Sequence, residues 1–355
     1  MMAAIIENNV IEQLTRKFLR SPFQRNRTQE SDAEIIEIVA GGPSLAVTTD
    51  TIAEEIALGL YSDPYLAGWM VVMANMSDLA AVGAVPVGIL LSELFPGNFS
   101  QEDIERLQQG IQDACNACNT FVLGGDTNLS DKLILTGCAI GTVPAGTALS
   151  RCGIQPGDLV YSTGKLGLGN AFAFSFLAGK PLEIPVVYKP SARLLQGQTI
   201  REIATACMDT SDGMLATIDQ LMRLNGVGFR IDADLESYVH ADAVPVAGIN
   251  NFSPWLTLAG QHGEFELLFT VPPAKEAALR MAAAASGWYP VRIGTVVEQP
   301  EIHMTINNKL VRVPGARIRN LASNADHDVG AYLQALFALD KEIQKGVLVY
   351  DAATL

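Results

Sequence analysis

Five short segments of the chain place a single Asp, or a closely spaced pair, beside Gly, Ser or Thr. They are Ser31-Asp32, Thr48-Thr49-Asp50, Met76-Ser77-Asp78, Gly124-Gly125-Asp126-Thr127 and Asp209-Thr210-Ser211-Asp212. Oxygen ligands without clustered His or Cys are typical of Mg²⁺ sites rather than zinc sites. Because protein-bound Mg²⁺ most often carries nucleotide phosphates, the segments together predict a site for Mg²⁺ and a nucleotide.

The Asp78 segment belongs to a predicted helix that is apolar over most of its surface. Asp63 is placed to cap this helix and Pro64 to occupy its first position. A carboxylate is costly to bury in an apolar segment unless it has a partner, and a metal ion is such a partner. The alternative is that Asp78 lies on the helix's one wet face. Both interpretations stay open at this point.

The segment from Asp209 to Asp212 directly precedes a predicted helix, Met214–Leu224. Hydroxyls and free N–H groups at a helix start form an anion site, and two nearby carboxylates would hold the counter-cation. The alternative is an ordinary helix cap by Ser211 or Asp212, which would explain one carboxylate but not both.

In the N-terminal half, the helices and strands that position these residues can be predicted from the hydrophobic pattern. The periodicity predicts a strand in Glu30–Ala40, a strand ending at Asp50, the helix after Asp63, and a strand at Val87–Phe95. It then predicts a helix at Gln101–Cys118 behind a Ser100/Asp103 capping box, a strand at Phe121–Leu123, a turn at Gly124–Thr127, and a strand at Lys132–Val143. This order predicts an α/β (α+β) layer with helices on one face.

The second half begins after a segment rich in Gly and Pro, Pro144–Asp158, which predicts domains at 1–146 and 147–355. Strands are predicted at Leu159–Ser162, Glu264–Val271 and Val291–Val296, and helices at Ser191–Thr205, Met214–Leu224, Ala274–Ala285 and near the C-terminus. The Gly-rich turn Thr163–Gly169 lacks the order of a P-loop, so a strand-to-helix connection is the preferred interpretation.

Composition narrows the class of protein. The chain has 355 residues, 49% of them hydrophobic, and a net charge of -14, which predicts a compact globular protein and argues against a nucleic-acid partner. Its five cysteines have no framework spacing and predict reduced thiols in a cytoplasmic protein. No apolar run reaches membrane-spanning length without a polar break, and the basic residues follow the short apolar start, the reverse of a secretory signal.

Several motifs, in order, resemble one family. TTDT, NMSDLAAVGAVP, LGGDT, LSRCGIQPGDLVYSTG, RLLQGQ and MDTSDGM look like thiamine-monophosphate kinase, a member of the AIR synthase-related superfamily. The resemblance implies a two-domain AIR synthase-like fold, a homodimer formed by the N-terminal domains, and ATP with several Mg²⁺ ions in an interdomain cleft. It implies phosphoryl transfer to a small-molecule acceptor, with thiamine phosphate as the nearest precedent.

The resemblance also assigns roles to individual residues. It implies metal carboxylates at Asp50, Asp78, Asp126, Asp209 and Asp212, with Thr49 as a supporting oxygen ligand and Asp32 near the expected spacing. It implies nucleotide contacts from Gly125, Asp126, Arg151 and Ser211. Asp78 and Asp212 are the expected catalytic residues.

One departure from the family pattern lies in the opening acidic motif, and the others fall on the acceptor side. Ser31 stands where the family has the first of two adjacent Asp, and Ala57 stands where the kinase presents a His to its substrate phosphate. The family's Gly-Gly-Glu-Asp is replaced by Gly260–Glu264, so we expect His262 and Glu264 to form an altered acceptor pocket. Two alternatives stay open: an ATP-dependent synthetase of the same superfamily, and a weakened nucleotide-binding subunit of a partner enzyme.

Overall fold

The N-terminal half of the protein is built around a five-stranded sheet. The computed structural model describes residues 2–179, 185–231, 234–306, 309–326 and 328–345. The half consists of α1 (Ile6–Thr15), β1 (Glu34–Ile36), β2 (Ser44–Thr51), α2 (Ala53–Ala57), α3 (Pro64–Ala81), β3 (Val85–Pro96), α4 (Gln101–Ala117), β4 (Val122–Ser130) and β5 (Ile134–Val143). The strand order is β1-β2-β5-β3-β4, and β4 pairs parallel with β3 at one edge.

The C-terminal half is built around a seven-stranded sheet. Its first elements are β6 (Leu159–Ser162), α5 (Leu168–Leu177), α6 (Leu194–Ile200), β7 (Ala206–Asp209), α7 (Met214–Asn225), β8 (Gly228–Ile231), α8 (Leu235–Tyr238) and α9 (Ala243–Asn250). A 3₁₀ turn (Pro254–Leu258), β9 (Leu267–Val271), a second 3₁₀ turn (Pro273–Lys275), α10 (Glu276–Ala285), β10 (Val291–Val297), β11 (Ile302–Ile306), β12 (Lys309–Arg312), α11 (Gly315–Arg319), α12 (Leu321–Asn324) and α13 (Val329–Gln344) follow. The strand order is β12-β11-β8-β10-β6-β9-β7.

Helix α3 packs against both halves, which explains why it is apolar around most of its circumference. It contacts α4, β2 and β5 of the N-terminal half and α6 and β7 of the C-terminal half. Its start is as expected: the Asp63 side chain accepts from the Tyr65 N–H at 3.0 Å, and Pro64 is the first residue. A Cβ added at Gly68 would lie 2.1 Å from the Leu107 carbonyl oxygen, so only glycine lets α4 approach this closely.

The hydrophobic core does not divide at the predicted boundary. One cluster joins α3 residues such as Met73 with Tyr161 on β6 and Phe269 on β9. A second cluster lies in the C-terminal half, around Trp255 and Phe229. The boundary between 146 and 147 therefore stays a prediction, although the two sheets fall on either side of it.

Most predicted elements exist, but several differ in extent. The capping box of Ser100 and Asp103 and the strand Leu159–Ser162 are confirmed. The predicted turn at Gly124–Thr127 is wrong, because β4 runs through it without interruption. The strand in Glu30–Ala40 shrinks to β1, since the residues before it form turns. Strands β7, β8, β11 and β12 were not predicted.

One negative finding concerns membranes. Within the ranges given above, no helix is both long enough and apolar enough to cross a bilayer.

Candidate active site

Three carboxylates converge where the two halves meet. One oxygen each of Asp32, Asp78 and Asp209 lies within 4.8 Å of the other two. Asp32 precedes β1, Asp78 lies in the last turns of α3, and Asp209 ends β7. The cluster therefore depends on α3 holding the two sheets together.

Hydroxyl groups orient two of these carboxylates. The Thr48 hydroxyl donates to Asp78 Oδ2 at 2.5 Å, and the Ser77 hydroxyl donates to Asp209 Oδ2 at 2.7 Å. Ser211 donates its hydroxyl to Asp209 Oδ1 at 3.0 Å. Ser211, expected at the nucleotide, thus also orients a carboxylate of the cluster.

The charges of the cluster are poorly compensated by the protein itself. Burial raises the pKa of Asp78 well above its usual range, and the nearby carboxylates of Asp209, Asp50 and Asp32 raise it further. Burial, and next the Asp32 carboxylate, raise the pKa of Asp209 to about 7. Carboxylates that crowd together in this way accept a cation readily. An all-oxygen donor set fits Mg²⁺, and the wet-face alternative for Asp78 does not account for the cluster.

Arg151 compensates one member of the cluster. Its guanidinium donates to both Asp32 oxygens, at 2.8 and 3.2 Å, in a bidentate ion pair. Burial alone would lower the pKa of Arg151, but Asp32, Asp78 and Asp209 outweigh that effect and raise it. Arg151 is therefore a permanent cation beside the cluster, where a phosphate could also reach it.

Asp50 and Asp212 lie near the cluster but not within it. The side chain of Asn75 on α3 makes two hydrogen bonds to the backbone of Asp50. It accepts from the Asp50 N–H at 3.0 Å and donates to the Asp50 carbonyl at 3.3 Å. Burial raises the pKa of Asp50. Asp212 is open to solvent on one side, yet desolvation raises its pKa to about 6. Asp50 adds to that shift, so the two carboxylates act on each other.

Asp126 and Gly125 lie apart from the cluster within one chain. Both are exposed on β4, and the sheet register aligns Asp126 with Ser92, Thr136 and Thr51 across four strands. Three steps of about 4.8 Å separate β4 from β2, which puts Asp126 roughly 14 Å from Thr51. The structure therefore does not bring Asp126 to the other carboxylates of its own chain.

Thr48, rather than Thr49, supports the cluster. The Thr49 hydroxyl donates to the Gly137 carbonyl of β5 at 2.8 Å. Successive strand residues point to opposite faces, so Thr48 shares its face with Asp50. This alternation was the signal in the sequence that could have identified Thr48.

His262 and Glu264 are both buried. Glu264 Oε2 accepts from the Gly167 N–H at 2.7 Å and the Gly169 N–H at 3.4 Å, and Oε1 accepts from the Thr210 hydroxyl at 3.1 Å. Glu264 thus fixes the Gly-rich turn, as a strand-to-helix connection requires. Burial lowers the pKa of His262 to about 4, so its ring is neutral.

His262 belongs to an aromatic group made of Tyr61, Phe172, Tyr188 and His262. The Tyr188 ring stacks on Phe172 with centroids 4.7 Å apart and lies 5.0 Å from the His262 ring. Tyr61 places its hydroxyl 3.3 Å from His262 Nε2. The group joins the loop after α2 to α5 and to the loop that contains His262, so these three segments pack on one another through their rings.

Glu55 of α2 was missed in the sequence. Burial raises its pKa to about 7, and the carboxylates of Glu54, Asp50 and Asp212 raise it further. The charges of Asp50 and Asp212 therefore act on the Glu55 carboxylate. No motif pointed to it, because it stands in a helix with Glu54 as an apparently solvated pair.

Comparison with known families agrees with this arrangement. Residues 30–143 match the family described as AIR synthase related protein, N-terminal domain, and residues 155–307 match the corresponding C-terminal domain. Both halves of the chain therefore carry AIR synthase-related domains, and the predicted fold class is confirmed.

Individual relatives identify the family within this superfamily. The thiamine-monophosphate kinase of Escherichia coli (strain K12) is 30% identical over 280 residues, covering 75% of this chain and 85% of the relative. That of Halobacterium salinarum is 31% identical over 247 residues, covering 68% and 81%. The chain therefore belongs to the thiamine-monophosphate kinase family within the AIR synthase-related superfamily, and at family level it is an ATP-dependent kinase.

Solved structures agree in fold. The complex of AaThiL with AMPPCP and TMP superimposes with a TM-score of 0.69 at 23% identity, covering 84% of this chain and 92% of that chain. At this level of identity the likeness concerns the fold.

Proposed function

We propose that the protein transfers a phosphoryl group from ATP to a small-molecule acceptor at a site that holds Mg²⁺. The observation that carries the proposal is the convergence of Asp32, Asp78 and Asp209 within 4.8 Å at the junction of the two halves. Arg151 pairs with Asp32, but among the described residues no cation pairs with Asp78 or Asp209, so the arrangement is explained by a ligand that brings positive charge.

In this proposal the chain's own residues hold and orient the nucleotide. Asp32, Asp78 and Asp209 would hold Mg²⁺, with Asp50 and Asp212 next to them. When bound, Mg²⁺ neutralises the charge on the phosphates and keeps them in line for displacement. The backbone N–H groups at the start of α7 and the Arg151 guanidinium provide donors for phosphate oxygens.

The acceptor side is the part in which we propose a difference from the relatives. The kinases named above act on thiamine monophosphate. Here the aromatic group packs on itself, and its His262 is neutral and only 8% exposed. A neutral group of this kind offers shape and stacking but no cation for an acceptor phosphate. We therefore propose that the acceptor differs from that of the relatives.

We also propose a homodimer formed through β4. Among the described residues this edge strand leaves Val122, Leu123 and Leu129 exposed, Leu129 at 82%. An exposed apolar edge strand invites pairing with another strand. Asp126 is remote from the cluster of its own chain. A second copy paired on β4 would give Asp126 a role at the site of the other protomer.

Two measurements test the proposed function. Calorimetry with AMPPCP should show binding that weakens strongly when EDTA removes the metal, whereas equal affinity would sink the Mg²⁺ site. A screen of small metabolites for ATP consumption should then identify the acceptor, and the chemical nature of its product separates a kinase from a synthetase.

Mixed dimers test the role of β4. If a site combines Asp78 of one protomer with Asp126 of the other, mixing inactive Asp78→Asn and Asp126→Asn proteins should restore activity, up to about a quarter of wild type. No restoration, with mixed dimers verified by mass, would show that each chain works alone.

A further inference from the structure

Asn75 is a fully buried amide in the middle of α3. It is 0% exposed, and its neighbours Ala74 and Met76 are buried and apolar. Asparagine is less favourable in a helix interior than alanine or methionine, and a buried amide needs hydrogen-bond partners. The packing of α3 alone therefore does not explain an asparagine at this position.

The partners of the Asn75 side chain are backbone groups. It donates to the Val71 carbonyl at 2.8 Å, one turn earlier in the same helix. Its two other hydrogen bonds go to the N–H and the carbonyl of Asp50 on β2, at 3.0 and 3.3 Å. The amide therefore fixes one residue of β2 relative to α3.

The residue fixed in this way lies beside the three-carboxylate cluster. Thr48 shares its face of β2 with Asp50 and donates its hydroxyl to Asp78 of the cluster. The rise of a strand puts Asp50 about 7 Å further along β2 than Thr48. Asp78 follows Asn75 by three residues, so both project from one face of α3. Helix α3 thus holds β2 at two points, and these points set the spacing between Asp78 and Asp50.

Gly137 of β5 leaves the room that the Asn75 amide occupies. It is buried and pairs with Asp50 in the register of β2 and β5. A Cβ at this position would lie 2.4 Å from Asn75 Nδ2 and 2.8 Å from Asn75 Cγ. Because these distances are shorter than van der Waals contact, any larger residue here would force the amide away from the Asp50 backbone.

We propose that Asn75 is a positioning residue of the metal site. It holds Asp50 where the Asp50 carboxylate joins Asp78 in binding Mg²⁺, and Gly137 is required because it leaves room for the Asn75 amide. This inference rests on the proposed function, since it needs Mg²⁺ at these carboxylates. A purely structural Asn75 would affect stability but not the Mg²⁺ requirement of the folded protein.

The first test measures by calorimetry how AMPPCP binding depends on Mg²⁺. Asn75→Ala should raise the Mg²⁺ concentration for half-maximal binding about 10- to 100-fold, the usual effect of losing a residue that orients a metal ligand. AMPPCP affinity at saturating Mg²⁺ should stay within about threefold, because Asn75 supports a ligand and does not hold the nucleotide itself. An unchanged Mg²⁺ requirement would overturn the proposal.

Asn250→Ala is the matched control. The Asn250 side chain makes the same kind of bond within a helix, donating to the Val246 carbonyl at 3.0 Å. It has no bond to β2, so its removal should leave both the Mg²⁺ requirement and the AMPPCP affinity unchanged. An equal rise in the Mg²⁺ requirement in this variant would show a general effect of losing such a bond and would overturn the positioning role.

A double-mutant cycle shows whether Asn75 acts through Asp50. Asp50→Asn removes a proposed metal ligand and should by itself raise the Mg²⁺ requirement. If Asn75 acts through the Asp50 carboxylate, adding Asn75→Ala to Asp50→Asn should raise the requirement by less than about twofold more. Additive effects of the two changes would mean that Asn75 acts independently of Asp50, and would overturn the proposal.

Gly137→Ala tests the room for the amide. The added methyl group should displace the amide and raise the Mg²⁺ requirement as Asn75→Ala does. Combining the two changes removes the close contact, so the double variant should melt at a higher temperature than Gly137→Ala. It should also need no more Mg²⁺ than Asn75→Ala. The double variant replaces Asn75→Ala in the first test if that protein does not fold, because the methyl group fills part of the space left by the amide.

Gly141→Ala, on the same strand, is the control for this change. Its Cβ would lie 2.9 Å from the Val85 carbonyl oxygen, away from Asn75. It should lower the melting temperature and leave the Mg²⁺ requirement unchanged. Gly137→Ala with the Mg²⁺ requirement of wild type would overturn the role of Gly137. Wild-type protein that binds AMPPCP equally with and without EDTA would instead overturn the proposed function.

Discussion

Two groups of buried acids in this protein differ in how well their carboxylate oxygens are hydrogen-bonded. Glu264 is fully satisfied, with two backbone N–H groups and one hydroxyl donating to its carboxylate. Asp78 receives one hydroxyl bond, from Thr48, and faces three other carboxylates. A buried acid whose oxygens are all hydrogen-bonded stabilises the fold. A cluster of buried acids with few donors is stabilised only when a ligand binds. The same residue types can thus be sorted into structural and functional roles by counting donors.

The largest effect is expected from Asp78→Asn. Removing one electrostatic contribution at the phosphates should lower kcat by about 100- to 1000-fold. The melting temperature of the metal-free protein should stay the same or rise, because Asn relieves the repulsion. Stabilisation by Mg-ATP should disappear. Activity assays and thermal unfolding with and without Mg-ATP measure these quantities, with the exposed Asp131→Asn as control.

The outcome also decides between an enzyme and a weakened subunit. A variant that melts well below wild type without ligand would make Asp78 a structural residue. Wild-type protein without turnover on any acceptor, although it binds Mg-ATP, would favour the subunit.

Glu264→Ala is expected to lower the stability of the protein, whereas Asp78→Asn is expected to leave it the same or raise it. The N–H groups of Gly167 and Gly169 and the Thr210 hydroxyl would lose their acceptor, at a cost of about 1–3 kcal/mol for each group left unsatisfied. The free energy of unfolding in urea should fall accordingly, while exposed Glu202→Ala should leave it unchanged. Normal stability of Glu264→Ala would contradict the structural role.

A different result is expected from His262→Ala. This change should raise the acceptor KM and leave the KM for ATP nearly unaltered.

The pH dependence of stability should show which of the buried acids respond to Mg²⁺, since burial raises the pKa of Glu264 to about 7 as well. The folded-state pKa of Asp209 is raised to about 7 and that of Asp212 to about 6, above their unfolded value of 3.8. Their contribution is therefore fully present below about pH 4 and is lost as the pH rises through 6 and 7. In EDTA the melting temperature should fall between pH 5 and pH 8, and Mg²⁺ should reduce the fall. An equal fall with and without Mg²⁺ would contradict a metal site at these residues.

The smallest effect is expected from a pair of neighbouring threonines. Thr48→Val removes the hydroxyl bonded to Asp78 and should weaken Mg²⁺-dependent AMPPCP binding about 2- to 10-fold, the range of a single hydrogen bond. Thr49→Val removes only a bond to a backbone carbonyl and should leave that binding unchanged. A larger effect at Thr49 would mean that the two faces of β2 have been exchanged.

Sequence reasoning reached the fold and the central residues because their signals are local. The cap at Asp63, the Pro at the start of α3 and the alternation along β2 each follow from a few neighbouring residues. The motifs then identified Asp78 and Asp209 by resemblance. Both lie in the cluster that the structure forms.

The remaining features depend on distant contacts that no local pattern encodes. Glu264 is predicted from the sequence at the acceptor and that role stays a prediction, whereas its bonds to Gly167 and Thr210 are contacts that no local pattern indicates. Glu55 looked like surface charge until its buried oxygen was located. The separation of Asp126 from the cluster follows from strand order, because β5 and β3 lie between β2 and β4.

The shared position of α3 has a consequence for how the molecule opens. Because this helix is packed against both sheets and bonds Asp209 through Ser77, neither half can unfold without exposing the core of the other. Unfolding should therefore be a single cooperative transition, and amide hydrogens of β2 and β7 should exchange with similar protection. Nucleotide binding at the junction would then raise the opening free energy of both sheets together.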